Sequence, residues 1–231
     1  MQRLILAFVT ATVLLVATSM LVRAEVPGPG QQRQVERARI ALDAFLDDPD
    51  KGNMATYVQN AYGVLVIPEM LSGSFFFGAD FGVGVLLVRD QQTGGWGDPV
   101  FYSLYGATFG LQFGGKSSDV VLTLMNEAVV DRFLNANADF KLGADMGLAV
   151  GRVGAAAGVA TTANFGEDIY VFARSQGLFG GFALQSAVIV PNTAWNTAYY
   201  GTEVVPSEVA RRQTMAANPP AAALQQSLTR F

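Results

Sequence analysis

The chain has 231 residues, 51% hydrophobic and only 15% charged, too apolar for a disordered protein and long enough to bury one sizeable core. It contains no His and no Cys, which excludes the commonest general base, the strongest nucleophile, the best transition-metal ligands and any disulfide. The formal charge of −4 argues against nucleic acid as a partner, because that needs a basic footprint.

Met1-Gln2-Arg3 gives a short positive start to an apolar run over residues 4–22. Val22-Arg23-Ala24 then offers a cleavage site before Glu25, so residues 1–24 read as a signal peptide. The run is also close to the length that crosses a bilayer as a helix, which leaves an uncleaved anchor as the other reading. On both, the remaining chain is exported, periplasmic or associated with the cell envelope. Without Arg3 and Arg23 it holds 13 basic against 19 acidic residues, or −6, which disfavours purely electrostatic adhesion to anionic lipid.

Residues 25–32, with Val26-Pro-Gly-Pro-Gly30, form a linker. An amphipathic helix follows, with Val35, Ala38, Leu42, Phe45 and Leu46 on one face and Arg33, Glu36, Arg37 and Asp43 on the other. Asp47-Asp48-Pro49-Asp50 stops it, and a second short helix is expected over 53–61. From Gly63 the period changes to two. A short buried strand covers 63–68, and longer alternating stretches cover 75–87, 101–113, 142–150 and 178–190. Bulky residues fill one face of these stretches and glycines the other. The glycines permit bends or the close approach of another backbone.

Gly94-Gly-Trp-Gly-Asp-Pro99 is a hairpin-type loop, 119–125 reads as a strand, and Asn126 caps a helix reaching about Asn135. After Gly201 the chain becomes rich in alanine and glutamine, a tail with short helices. The expected class is α+β. It comprises a glycine-rich, mainly antiparallel, curved sheet (a sandwich or a partly closed barrel), with N-terminal amphipathic helices and one inserted helix.

Little chemistry survives inspection. Asp80, Asp98, Asp119, Asp145 and Glu167-Asp168 could supply carboxylate pairs, but nothing in their spacing selects two. Gly82-Val-Gly84 runs on into a strand where a dinucleotide fold needs a helix, and Gly114-Gly-Lys116-Ser lacks the upstream glycine of a phosphate loop. Asp48-Pro-Asp50-Lys-Gly52 has Gln59 where a calcium loop needs its bidentate glutamate. An outer-membrane barrel would turn Gln225, Ser227 and Thr229 towards lipid, the wrong polarity. No enzyme, metal or cofactor is implied.

Taken in order, several motifs resemble the SYLF domain family. They are Ala61-Tyr-Gly-Val-Leu-Val-Ile-Pro68; Phe76-Phe-Gly78 through Gly82-Val-Gly-Val-Leu-Leu-Val88; and Gly95-Trp96 with Pro99. Next come Gly110-Leu-Gln112, Ser118-Asp-Val-Val121 and Leu124-Met-Asn126; then Leu142-Gly143, Gly151-Arg152 and Ser175-Gln-Gly-Leu-Phe-Gly-Gly181; and last Asn196 with Tyr199-Tyr-Gly201. The resemblance covers residues 33–201. It departs at Phe172-Ala-Arg-Ser175 and at Gly97-Asp98.

The resemblance implies a non-enzymatic lipid- or phospholipid-binding module of the cell envelope. The alternative is a structural envelope protein that works through protein–protein assembly. The expected partner is a phospholipid or membrane surface, with an envelope protein as a further candidate, and export argues against actin, which the fungal branch binds. The candidate lipid-binding residues are Arg33, Arg37 and Arg39 on the first helix, Trp96 in its loop, and Arg152, Arg174 and Phe179 in matched motifs.

Overall fold

The computed structural model describes residues 28–48, 54–135, 140–141, 148–151, 167–176, 187–214 and 218–230. Helix α1 (Pro29–Leu46) opens with a proline at its first position, where the missing N–H costs nothing, and is followed by α2 (Met54–Asn60). Two long strands, β1 (Gly63–Val88) and β2 (Val100–Leu124), pair antiparallel from Gly63↔Leu124 to Leu86↔Val100. Each merges two expected strands into one. The apparent break at Pro68 is a bulge: Pro68 and Glu69 together oppose Asp119, between the pairs Ile67↔Val120 and Met70↔Ser118. A proline fits there because no ladder bond needs its nitrogen.

Helix α3 (Glu127–Leu134) starts where Asn126 predicts, with the Asn126 side chain accepting the Val129 N–H at 2.9 Å. Short strands β3 (Phe140–Lys141) and β4 (Leu148–Gly151) precede β5 (Ile169–Gln176) and β6 (Val188–Pro191). Helices α4 (Thr193–Tyr200), α5 (Pro206–Ala210) and α6 (Pro219–Leu228) complete the chain. The sheet runs β3-β6-β2-β5-β4 with β1 on the other edge of β2. All pairings are antiparallel except β4 with β5. The α+β expectation holds, and the sheet does not close into a barrel. Strand β5 and helix α4 were not read from the sequence.

The glycine face has a concrete purpose. A Cβ at Gly82 would sit 2.6 Å from Ile67 Cγ2, and one at Gly84 would sit 2.7 Å from Leu65 Cδ1. The late part of β1 therefore packs directly on its own beginning, and the Arg89 N–H donates to the Tyr62 carbonyl at 2.8 Å to close that approach. Alternate residues then feed two cores. Leu65, Ile67, Leu86 and Val88 join α3 and α5 in one, while Val64, Val66, Val85 and Leu87 join α1, α2 and α6 in the other.

The apolar face of α1 lies entirely in that second core: Val35, Ala38, Leu42 and Phe45 are fully buried. Full burial of each large member stabilises by about 1.5–3 kcal/mol. Gln34 Nε2 fixes the helix by donating to the Val83 carbonyl at 2.6 Å. The C-terminal residues are held just as firmly, since Ala221, Leu224 and Leu228 are buried in the same core and Arg230 reaches Asp43 (3.3 Å) and Asp47 (2.8 Å). One expected core residue is outside: Phe81 is 45% exposed and packs on Tyr105, its cross-strand partner, at 5.4 Å. It falls beyond the reach of the helices that cover Val85 and Leu87.

Candidate functional site

Two regions carry the residues singled out by sequence. The first is the turn between β1 and β2. Asp90 shapes it, accepting the Gln92 and Thr93 N–H groups at 2.7 and 3.0 Å, and Gly94 takes a left-handed φ of 73°. Trp96 follows. A candidate lipid-binding residue by sequence, it is 3% exposed, set in the α1 core with the Arg89 guanidinium 5.4 Å from its ring. That corrects the expectation: a side chain enclosed by the core offers no face to lipid.

The Gly97-Asp98 departure from the family pattern is architectural as well. A Cβ at Gly97 would lie 1.7 Å from the Ala210 carbonyl oxygen, so only glycine lets α5 close over the turn. Asp98 is buried and accepts the Thr214 N–H at 3.1 Å and the Thr214 hydroxyl at 2.5 Å. Burial pushes its carboxyl above the ordinary range, and the two Thr214 bonds oppose that shift. Gln225 Nε2 donates to the carbonyls of Trp96 (3.0 Å) and Gly97 (2.9 Å). The buried amide of Asn196 pairs both ways with the Phe101 backbone, at 2.8 and 3.0 Å, and Tyr200 Oη donates to the Pro99 carbonyl at 2.6 Å. Asp98, Asn196, Tyr200 and Gln225 thus join the C-terminal third to the sheet and its turn, while the buried Trp96 Nε1 has no hydrogen-bond partner among the described residues.

The second region is an open groove of about 630 Å³ between α1 and the β1 bulge. Arg37, Ile40, Ala41 and Ala44 line it from α1; Pro68, Glu69 and Leu71 from β1; residues 117–119 from β2; and Arg174 from β5. Glu69 holds the left-handed φ of 52°, the one non-glycine in that region among the described residues. Its N–H is turned out of the ladder and donates to Asp119 Oδ1 at 3.0 Å, while its carboxylate pairs with Arg37 at 3.0 Å. Ile40 and Leu71 stay 53% and 60% exposed and line the same groove. Asp119 lies opposite Arg174 in the β2–β5 register.

The groove thus unites Arg37 and Arg174, two of the sequence candidates. Arg33 is exposed one helical turn before Arg37. Arg39 is neutralised on its own helix by Glu36 (2.6 Å) and Asp43 (2.6 Å), and its guanidinium holds the Glu36 carboxyl below the ordinary range. Arg152 and Phe179 lie outside the described residues. Sequence reasoning missed Ile40, Glu69 and Leu71. Their signals were an isoleucine off the apolar stripe of an amphipathic helix and a Pro-Glu pair inside an alternating strand.

The family described as "Las17-binding protein actin regulator" matches residues 105–231. This chain belongs to that Ysc84/SYLF family. Protein YSC84 of Saccharomyces cerevisiae is 28% identical over 147 residues, which are 63% of this chain and 31% of the relative. An SH3 domain-containing protein of Schizosaccharomyces pombe is 29% identical over 147 residues, 63% and 34% of the two chains. The SH3 domain-containing YSC84-like protein 1 of Xenopus laevis is 27% identical over 155 residues, 67% and 45%. The chain spans less than half the length of these relatives.

These names correct the expected partners. They speak of a Las17-binding protein and an actin regulator, pointing to proteins where a phospholipid or membrane surface was expected, and they overturn the exclusion of actin. The structure adds a physical reason on the lipid side, because the apolar face of α1 that would enter a bilayer is occupied by β1 and α6.

Proposed function

We propose that this chain is a non-enzymatic protein-binding module whose contact surface is the groove between α1 and the β1 bulge. The carrying observation is that Ile40 and Leu71 are exposed side by side with charged residues in an open groove, the mixture found at protein interfaces. The names of the relatives support a protein as the partner and make filamentous actin the first to test. The names of the relatives suggest a non-enzymatic role, and two of the candidate acids are engaged within the fold, Asp98 with Thr214 and Asp119 with the Glu69 backbone.

Affinity capture from extracts of the native host tests this, comparing the full chain with an Ile40→Ser/Leu71→Ser variant and quantifying by mass spectrometry. Parallel arms use filamentous actin and phosphatidylglycerol vesicles. The reading requires at least one protein, actin included, that the unaltered chain retains and the variant loses. Equal retention by both chains, or binding to vesicles alone, contradicts it. We further propose, from residues 1–24, that the chain acts outside the cytoplasm. N-terminal sequencing of the protein from cell fractions tests that, and a cytoplasmic protein beginning at Met1 refutes it.

A further inference from the structure

We propose that a second cavity, beside the β1–β2 turn, binds a neutral saccharide, with hydroxyls on Gln91, Gln92 and Glu127 and a C–H face on the apolar part of the lining. The site is separate from the α1 groove and does not rest on the protein-binding reading.

The cavity holds about 400 Å³, within the range of roughly 300–1,000 Å³ that small-molecule sites occupy. Three distant parts of the chain wall it: the turn, the start of α3 with Glu127 and Val130, and the end of α5 with Ala210 and Arg211. They are tied to one another. Gly97 lies against the Ala210 carbonyl, Gln213 Nε2 donates to Thr93 Oγ1 at 3.1 Å, and Arg211 pairs with Asp131 of α3 at 2.7 Å. Walls fixed in advance lose little freedom when a ligand enters. Tyr62, Val88, Val130 and Ala210 belong to one core and form the apolar part of the lining.

The groups left unspent decide the class of ligand. The side chains of Gln91, Gln92, Glu127 and Tyr62 make no hydrogen bond or ion pair among the described residues. Each amide offers donors and an acceptor, the carboxylate only accepts, and the phenol does both. Their complement is a set of closely spaced groups that donate and accept alike, as neighbouring hydroxyls on a sugar ring do.

Charge and backbone argue against the other classes. The lining sets two arginines, Arg89 and Arg211, against two acids, Asp90 and Glu127, and Arg211 pairs with Asp131 outside it. Arg89 donates to the Gln59 and Gly94 carbonyls and keeps its positive charge against a cation, while the acids oppose an anion. A peptide backbone finds no open ladder to join. The N–H groups of Arg89, Asp90 and Gly97 already donate to the carbonyls of Tyr62, Gly95 and Val88, each at 2.8 Å.

The probes are the methyl glycosides of glucose, mannose, galactose and N-acetylglucosamine. Glucosamine, glucuronic acid and tetraglycine serve as cationic, anionic and peptide arms. Titration calorimetry with the full chain should find at least one neutral glycoside bound about tenfold more tightly than all three arms. Glu127→Ala and the double change Gln91→Ala/Gln92→Ala should each weaken that binding about tenfold, the size of one strong hydrogen bond, with an unchanged thermal melt. Ile40→Ser/Leu71→Ser should leave it as it is.

No neutral glycoside bound, a charged or peptide arm bound as tightly, or site variants that bind like the parent overturns the proposal. None of these outcomes touches capture through Ile40 and Leu71, which stands or falls by its own test.

Discussion

The β1–β2 turn and the α1 groove both hold residues that stood out in the sequence, and they end in opposite conditions. At the turn, Trp96 is enclosed, Gly97 has no room for a methyl group, and Asp98 and Gln225 are engaged in defined bonds. In the groove, Ile40 and Leu71 remain in solvent, Glu69 holds a strained backbone, and Arg174 is exposed opposite Asp119. A motif residue whose bonding capacity is used up inside the fold is architecture. One that keeps unused capacity at the surface, beside exposed apolar side chains, is a candidate for recognition.

That contrast can be broken most severely at Gly97. Gly97→Ala forces the chain away from the Ala210 carbonyl, and chemical denaturation should show a loss of about 3 kcal/mol or more. Asp98→Ala leaves the Thr214 N–H without its buried partner and should cost about 2 kcal/mol in the same assay.

Asp98 also gives the contrast a pH signature. Burial raises its carboxyl in the folded chain above the unfolded value, so the folded state binds the extra proton and stability falls as pH rises. Relative to Asp98→Asn, the parent should be favoured most below the ordinary aspartate range. It should lose that advantage as pH climbs through the raised folded value, as denaturation midpoints taken across pH will show.

Groove substitutions should behave differently. Ile40→Ser and Leu71→Ser should change stability by only about 0.5 kcal/mol while abolishing capture of the partner. The smallest effect has the opposite sign. Glu69→Gly relieves the left-handed strain and should stabilise by about 0.5 kcal/mol, even though the exposed pair with Arg37 is lost.

Much of the framework was legible because it is local. The apolar stripe of α1, the Asn126 cap and the alternation feeding Val85 and Leu87 into one core all follow from spacing. The glycine face at Gly82 and Gly84 announced a close approach, though not that the approaching chain is residues 65–67 of the same strand. What was lost depends on distant partners. Trp96 read as a candidate lipid contact in a loop because the helix that shares its core, α6, comes more than a hundred residues later. Arg174 could not be joined to Arg37 until the β2–β5 register and the helix were both in place. The bulge hid behind Pro68, which reads as a strand end when its partner strand is unseen.

The most direct measurement is photocrosslinking in the native host, from a photoreactive amino acid placed at Leu71 and, as a control, at exposed Val205. The account predicts a discrete protein adduct from position 71 and none from position 205. Phospholipid adducts alone, or no adduct from position 71, would contradict it.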